Sequence, residues 1–321
     1  MARNRIIYQS QAVALNGAAT SNAPVVIPGV QSVTYGIDVT REDVNHFGQI
    51  GAIDRVVTEA PTATQEVQFH FPNGVITANI LNALISGSLS SAENGLIIGL
   101  DDEGSEFGES ELSSENVALL GGRLSSFSLE ASVGAIPTIT LGFEGTSLGY
   151  GAAMAWGGNA AGNAVPDYSA ALRTFTDVVV SLADASGTHF TNAQSVTISF
   201  DLGSEGLQRL GTTATASTLV YARVPTLPAT VTMEVEGLAV DKGMSLQLVG
   251  MNTKSSTAGT TDAGGRATVS VVIGGAVTFS LLLASLDSVS YTNSIGDNAT
   301  CSATFSCSVG SGTSASRLSI T

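Results

Sequence analysis

A chain of 321 residues with 43% hydrophobic and only 12% charged residues is too apolar to be disordered and poor in the charge that a solitary globule wears. Its 27 acids against 12 bases leave a net charge of −15, with two lysines and scattered arginines, so it lacks the basic face that gripping nucleic acid requires. The length allows two domains, each with its own core, and the shortage of charge points to surface covered by other subunits.

The amino end has only Ile6, Ile7 and Tyr8 as an apolar run, too short for a secretory signal. The longest apolar run, residues 276–286, is too short to span a bilayer, so a soluble protein made in a cytoplasm is expected. Residues 6–15 alternate as a strand, and residues 16–24 are turn-rich. Residues 30–40 form a strand with Val33, Tyr35, Ile37 and Val39 on one face and Ser32, Thr34 and Asp38 on the other. Residues 41–60 hold Gly48, Gly51 and four acids and read as a long partner-binding loop. Val67, Phe69 and Phe71 alternate again. Over residues 75–86 the period changes: Val75, Ile76, Ile80, Leu81, Leu84 and Ile85 share a helical face, and Gly87 is placed to stop it. Residues 99–115 are an acidic Gly/Ser-rich loop, and residues 125–133 and 138–144 form a hairpin turned at 134–137.

Residues 145–166 are rich in Gly, Ala and Asn without a sustained period and read as a join. Beyond it, residues 173–183, 267–273, 277–283, 287–291 and 300–308 read as strands, while 237–250 have no clear period. Cys301 and Cys307 lie on one face of the last strand, roughly 20 Å apart when extended. That is too far to bridge, so both read as small core residues.

The chain contains one stretch twice. With Gln31 set on Gln194, the residues Ser32, Val33, Thr34, Asp38, Glu42 and Gly48 fall on Ser195, Val196, Thr197, Asp201, Glu205 and Gly211 without a gap. With one residue inserted, Pro61 meets Pro225 and Val67 meets Val231. A second block matches Ser128, Ser132, Val133, Gly134, Thr138 and Phe143 to Ser290, Ser294, Ile295, Gly296, Thr300 and Phe305. Two blocks in the same order indicate a tandem duplication, with residues 1–150 and 167–321 as the copies and 151–166 between them. Strands and tight turns dominate, so the fold class is mainly β: two tandem β-sandwich or partly open barrel domains, at least the first with a flanking α-helix.

Catalytic patterns are sparse. Gly145-Thr146-Ser147-Leu148-Gly149 fits G-x-S-x-G, but a nucleophile elbow needs a helix next, and the following residues make a poor one. His46, His70 and His189 have no neighbours at metal-ligand spacing. Asp101, Asp102, Glu103, Glu106, Glu109, Glu111 and Glu115 lack the spacing of a calcium loop; a solvated acidic surface is the better reading, with loose calcium binding left open. Trp156 and Tyr150 read as anchors of the join. No enzyme, cofactor or metal is expected.

Each copy has a strand opening Gln-Ser-Val, then Arg41-Glu42, Val44 and Gly48 (Ser204-Glu205, Leu207 and Gly211), a proline, a returning strand, and a closing hairpin through Ser132, Gly134 and Thr138. This order resembles the tail tube proteins of tailed bacteriophages. The resemblance implies a ring of six domains, here a trimer of duplicated chains, whose rings stack into a hollow tube that conducts DNA into the host. It implies partners of the chain's own kind and other tail proteins, no membrane span, and a place in the virion tail after assembly in the host cytoplasm. Ring stacking would fall to the two long loops, with Arg41, Glu42, Asp43, Asp54, Arg55 and Glu59 in the first and Glu205, Arg209 and Arg223 in the second. An acidic wall would let DNA slide without counterion release. Residues 1–163 carry 16 acids and 5 bases against 11 and 7 in the remainder, so the cluster Asp101–Glu115 is expected outside the bore or at a ring junction. Alternatives are a secretion-type tube, a terminator ring, or an Ig-like surface or carbohydrate-binding module.

Overall fold

The computed structural model describes residues 11–17, 20, 24–45, 47–48, 54–72, 76–88, 93–100, 115–150, 174–183, 192–208, 221–238, 267–274, 277–295, 298–309 and 317–321. The acidic stretch 101–114, the join 151–173 and the second-copy segments 209–220 and 239–266 lie outside them.

Alternating, β-branched stretches give strands throughout. In the first half these are β1 (Gln11–Gly17), β2 (Val25–Val26), β3 (Val30–Asp38), β4 (Arg41–Val44), β5 (Asp54–Val57), β6 (Thr62–His70), β7 (Asn94–Leu100), β8 (Glu115–Leu120), β9 (Arg123–Ser132), β10 (Thr138–Gly145) and β11 (Ser147–Tyr150). In the second they are β12 (Val178–Ala183), β13 (Ala193–Asp201), β14 (Ser204–Gln208), β15 (Tyr221–Pro225), β16 (Ala229–Leu238), β17 (Ala267–Ile273), β18 (Val277–Thr292), β19 (Thr300–Val309) and β20 (Leu318–Ile320). Helix α1 (Ala78–Ser88) follows β6; Thr77 accepts the Ile80 N–H at 3.4 Å as its N-cap, and Leu81, Leu84 and Ile85 are buried.

The two halves repeat one strand order. In the first, one sheet runs β9-β10-β6-β3 and a second runs β11-β8-β7-β1, with β2 added at its edge. In the second, β18-β19-β16-β13 and β20-β18-β17-β12 are the corresponding sheets. The first copy leaves one sheet for the other between β8 and β9 at Gly121, where φ is +63°. The second copy makes the same turn inside the long strand β18 at Leu283, where φ is +54°. Bulges coincide as well: β3 slips against β6 between Val30 and Ser32, and β13 slips against β16 between Ala193 and Ser195. On the other side, β10 slips against β9 at Gly142/Phe143, and β18 slips against β19 between Leu286 and Ser288.

This register corrects part of the sequence alignment. Asp38 pairs with Thr62 as Asp201 pairs with Thr230, so equivalent residues stand 163 positions apart before the hairpin and 168 after it. Five residues are inserted, not one. Val67 corresponds to Val235, not Val231, and Arg55 corresponds to Arg223. A slip of four residues leaves every side chain on its own face, so alternation alone does not detect it. Within the stretch expected as a long loop, β4 and β5 pair as a hairpin, and β14 with β15 is its counterpart. The start of the join is the strand β11, paired to β8, and residues 277–291 belong to one strand instead of two.

The principal core is common to both halves. Phe69, Leu129, Leu141 and Phe143 of the first share one apolar cluster with Ile198, Phe200, Phe279 and Phe305 of the second. The rings of Phe127 and Phe279 lie 5.8 Å apart across the boundary. Helix α1 packs against β7 and β9 and also reaches β20. One buried polar group bridges the two sheets of the first copy: Gln65 Oε1 accepts the Leu96 N–H at 3.0 Å, and its counterpart in the second copy is the buried Met233.

Candidate assembly surfaces

Eight strands form one continuous sheet, β18-β19-β16-β13-β9-β10-β6-β3, made of the same four-strand unit twice. Its inner face is the apolar core. Its outer face is a field of hydroxyls and acids. One row reads Thr138, Glu130, Thr197, Glu234, Thr304 and Ser288; the next reads Gln68, Thr140, Ser128, Ser199, Thr232 and Ser306. Glu66, Glu144, Asp38, Asp201 and Glu236 lie on the same face, each acid paired across strands with a hydroxyl or glycine on at least one side, which separates like charges. Among the described residues the one arginine in these rows is Arg123, opposite Glu144 at the end of β9.

The two units meet at an antiparallel seam between β9 and β13, in register from Ser132↔Ser195 to Ser126↔Asp201. Phe127 faces Phe200 and Leu129 faces Ile198, all buried. At its two ends, Val133 donates its N–H to the Gln194 carbonyl at 2.8 Å and Leu202 donates to the Ser125 carbonyl at 2.7 Å. A polar clamp closes the end of the seam. Arg223 on β15 places Nη1 3.1 Å from Glu144 Oε2 and donates to Ser204 Oγ at 2.7 Å; its Nη2 donates to Thr62 Oγ1, and Ser204 also donates to Glu144. Glu144 and Thr62 belong to the first copy, so the second copy's hairpin grips the first.

The outer edges of the eight-stranded sheet are open. No strand among the described residues pairs with the free side of β3, or with the free side of β18 beyond the Leu283 corner. The contrast with the interior seam is measurable. Val196, Ile198 and Phe200 of β13 are 2%, 1% and 2% exposed, while at the equivalent places on β3 Val33 is half-buried and Tyr35 and Ile37 are 40% and 46% exposed. On the other edge, Tyr291 is 42% exposed where Leu129 is fully buried. The Tyr291 hydroxyl has its pKa pushed up to about 12, by burial first and then by its hydrogen bond with Cys301.

The residues expected at ring-stacking loops separate into two environments. Arg41, Glu42, Asp43, Asp54, Arg55 and Glu59 are exposed on or beside the β4–β5 hairpin, where Arg55 Nε meets Asp43 Oδ1 at 2.6 Å. Glu205 is exposed on β14. Arg223, by contrast, is nearly buried in the clamp. Arg209 and the acids Asp101, Asp102, Glu103, Glu106, Glu109 and Glu111 lie outside the described residues, as does His46. The clamp's acid, Glu144, went unnoticed in the sequence because it sits 79 residues from Arg223; only the corrected register ties Arg223 to Arg55.

The catalytic candidates dissolve in this setting. Ser147 begins the strand β11 rather than a strand-to-helix turn. Among the described residues no three His, Cys, Asp or Glu side chains converge as a metal site. Cys301 and Cys307 are buried, free thiols, and burial pushes the Cys307 thiol up to about 11.

Fold and surfaces thus define a mainly-β protein of repeated two-sheet units with a flanking helix, its shared sheet open at both ends among the described residues. No known family model matches the chain, and no curated protein matches it. Among solved structures 17 chains match, two of them from particles of known kind. One is a chain from the virion of a native gene transfer agent particle, at 12% identity and a TM-score of 0.33, covering 46% of this chain and 96% of that one. The other is a chain from the six-fold symmetrised baseplate of the anti-feeding prophage, at 12% identity and a TM-score of 0.33, covering 48% and 99%. At this TM-score neither likeness says what the chain does.

Proposed function

We propose that the protein is a structural, non-enzymatic subunit of a bacteriophage tail tube. Residues 1–150 and 167–321 act as two tube-like units joined through 151–166; three chains close a ring of six units, and rings stack into a tube in the virion. The observation that carries this reading is the eight-stranded sheet, which among the described residues ends in two open, partly apolar edges. Open edges of this kind are a liability in a solitary protein, and closing the sheet on copies of itself removes them.

The polar face then lines the bore. Hydroxyls hydrate it, the acids repel a phosphate backbone, and the near absence of bases denies DNA the counterion release that favours sticking. Three copies supply roughly two dozen strands, which at ~4.8 Å spacing and ~40° tilt close at a backbone radius of roughly 24 Å. Two copies would close at roughly 16 Å, which side chains reduce to little more than the width of a duplex. The exposed β4–β5 hairpin, with Arg41, Glu42, Asp43, Asp54, Arg55 and Glu59, and Glu205 on the second hairpin are the surfaces for the next ring or for other tail proteins.

Light scattering and negative-stain microscopy of the purified full chain test the reading. Hollow rings and tubes of three-chain repeat are expected. Monomers without rings at every concentration overturn it. Single rings that never stack redirect it to a terminator.

A further inference from the structure

The chain contains a template for its own intermolecular contact. Because β3 is the counterpart of β13 and the second part of β18 is the counterpart of β9, the seam inside the chain prescribes a seam between chains. We infer that β3 of one copy pairs antiparallel with β18 of a second copy in a single register, from Ser32 opposite Ser294 to Asp38 opposite Ser288. The inference rests on the ring reading above and specifies which edges join and how.

Each pair follows from the observed one. Phe200↔Phe127 and Ile198↔Leu129 become Ile37↔Val289 and Tyr35↔Tyr291. The end bonds translate too: the Ile295 N–H takes the Gln31 carbonyl, and the Val39 N–H takes the Asp287 carbonyl, as Val133 and Leu202 do with Gln194 and Ser125. The surface agrees with this register, since the side chains it would cover are the exposed Tyr35, Ile37, Tyr291 and Ile295, the last fully exposed. Both edges carry matching bulges, at Gln31 and between Leu286 and Ser288, so neither strand needs to distort to repeat the internal geometry.

The polar clamp does not repeat unchanged. Ser306 occupies the place of Glu144, and Arg41 that of Ser204, while Arg55 already holds Asp43 of its own hairpin. The acid on this side is Asp287, which stands where Ser125 lines the cleft of the internal clamp together with Ser204 and Arg223. Arg41 of one copy therefore meets Asp287 of the next, an exposed pair in place of a half-buried one, and the seam between chains is the more salt-sensitive of the two.

Disulfide trapping in the full chain reads the register. Thr34 and Thr292 fall opposite each other at a non-hydrogen-bonded position, where Cα atoms approach within disulfide range. The native thiols Cys301 and Cys307 are buried and stay silent. Under mild oxidation T34C/T292C is expected to give covalent multimers, while the slipped pair T34C/S290C gives at least tenfold less. Preferential crosslinking of the slipped pair overturns the register. Rings visible by microscopy with neither pair crosslinked overturn the seam and leave the ring reading standing; crosslinking without rings supports the seam and overturns the tube. Neither rings nor crosslinks overturns both. As a second measure, D287R is expected to weaken assembly about tenfold or more through like-charge apposition, and R41D/D287R to recover it; no change in D287R, or no recovery in the double variant, overturns the Arg41–Asp287 contact.

Discussion

Strands β13 and β3 are the same element in two settings. One is sandwiched between β16 and β9 with its apolar row sealed; the other has β6 on one side and, among the described residues, no strand on the other. The sequences record the difference: Val196, Ile198 and Phe200 in the sealed strand, Val33, Tyr35 and Ile37 in the open one, where an amphipathic tyrosine stands at the place of Ile198. Duplication thus supplies a control experiment within one molecule. What a unit does at an occupied edge shows what its twin is shaped to do at a vacant one.

The largest expected break in that comparison comes from placing a charge at each position. Ile198→Asp buries an unpaired carboxylate in the core and is expected to unfold the chain, costing more than about 4 kcal/mol in denaturant titration. Tyr35→Asp is expected to leave monomer stability within about 0.5 kcal/mol while abolishing assembly. Equal destabilisation by the two would mean that β3 is already covered within the monomer.

The hairpins provide the next contrast. Arg223→Ala strands Glu144 at the internal seam and is expected to cost about 1–3 kcal/mol, below the range for a fully buried pair because Glu144 retains 31% exposure. Arg55→Ala removes an exposed pair worth about 0–1 kcal/mol. The two melting curves, measured side by side, should therefore separate; if they coincide, the clamp is no stronger than a surface contact.

Much of this was legible in the sequence. Alternation gave the strands, the 3.6 period over residues 75–86 gave α1, and the Gln-Ser-Val blocks gave the repeat. What stayed hidden follows from physics that local pattern does not carry. A four-residue slip in the second alignment block preserves the phase of a strand, so the wrong partner for Val67 looked as good as the right one. The turn at Leu283 carries no glycine to mark it in the sequence, yet the backbone takes the same left-handed conformation as Gly121. The hairpin β4–β5 reads as a loop in the sequence because its side chains are exposed on both faces, which leaves no half-buried stripe to read. Glu144 and Arg223 meet only through the seam between copies, a contact of high sequence separation.

The corner residues yield the smallest contrast. Gly121→Leu forces a side chain into a left-handed conformation, where a Cβ would lie 3.0 Å from Thr146 Oγ1, and is expected to cost about 1–2 kcal/mol. Leu283→Gly relieves the same conformation at the loss of a half-exposed side chain and is expected to change stability by no more than about 0.5 kcal/mol. Thermal denaturation of both variants decides whether the turn, rather than the residue, is what the second copy retains.

The covalent join between the copies has a consequence for disassembly. Within a chain, the second unit is held beside the first at an effective concentration that dilution leaves untouched, whereas the proposed seam between chains would compete with the bulk. Lowering the protein concentration or raising salt would therefore open only alternate contacts around a closed ring, and every piece released would carry an intact internal junction and one vacant strand at either end.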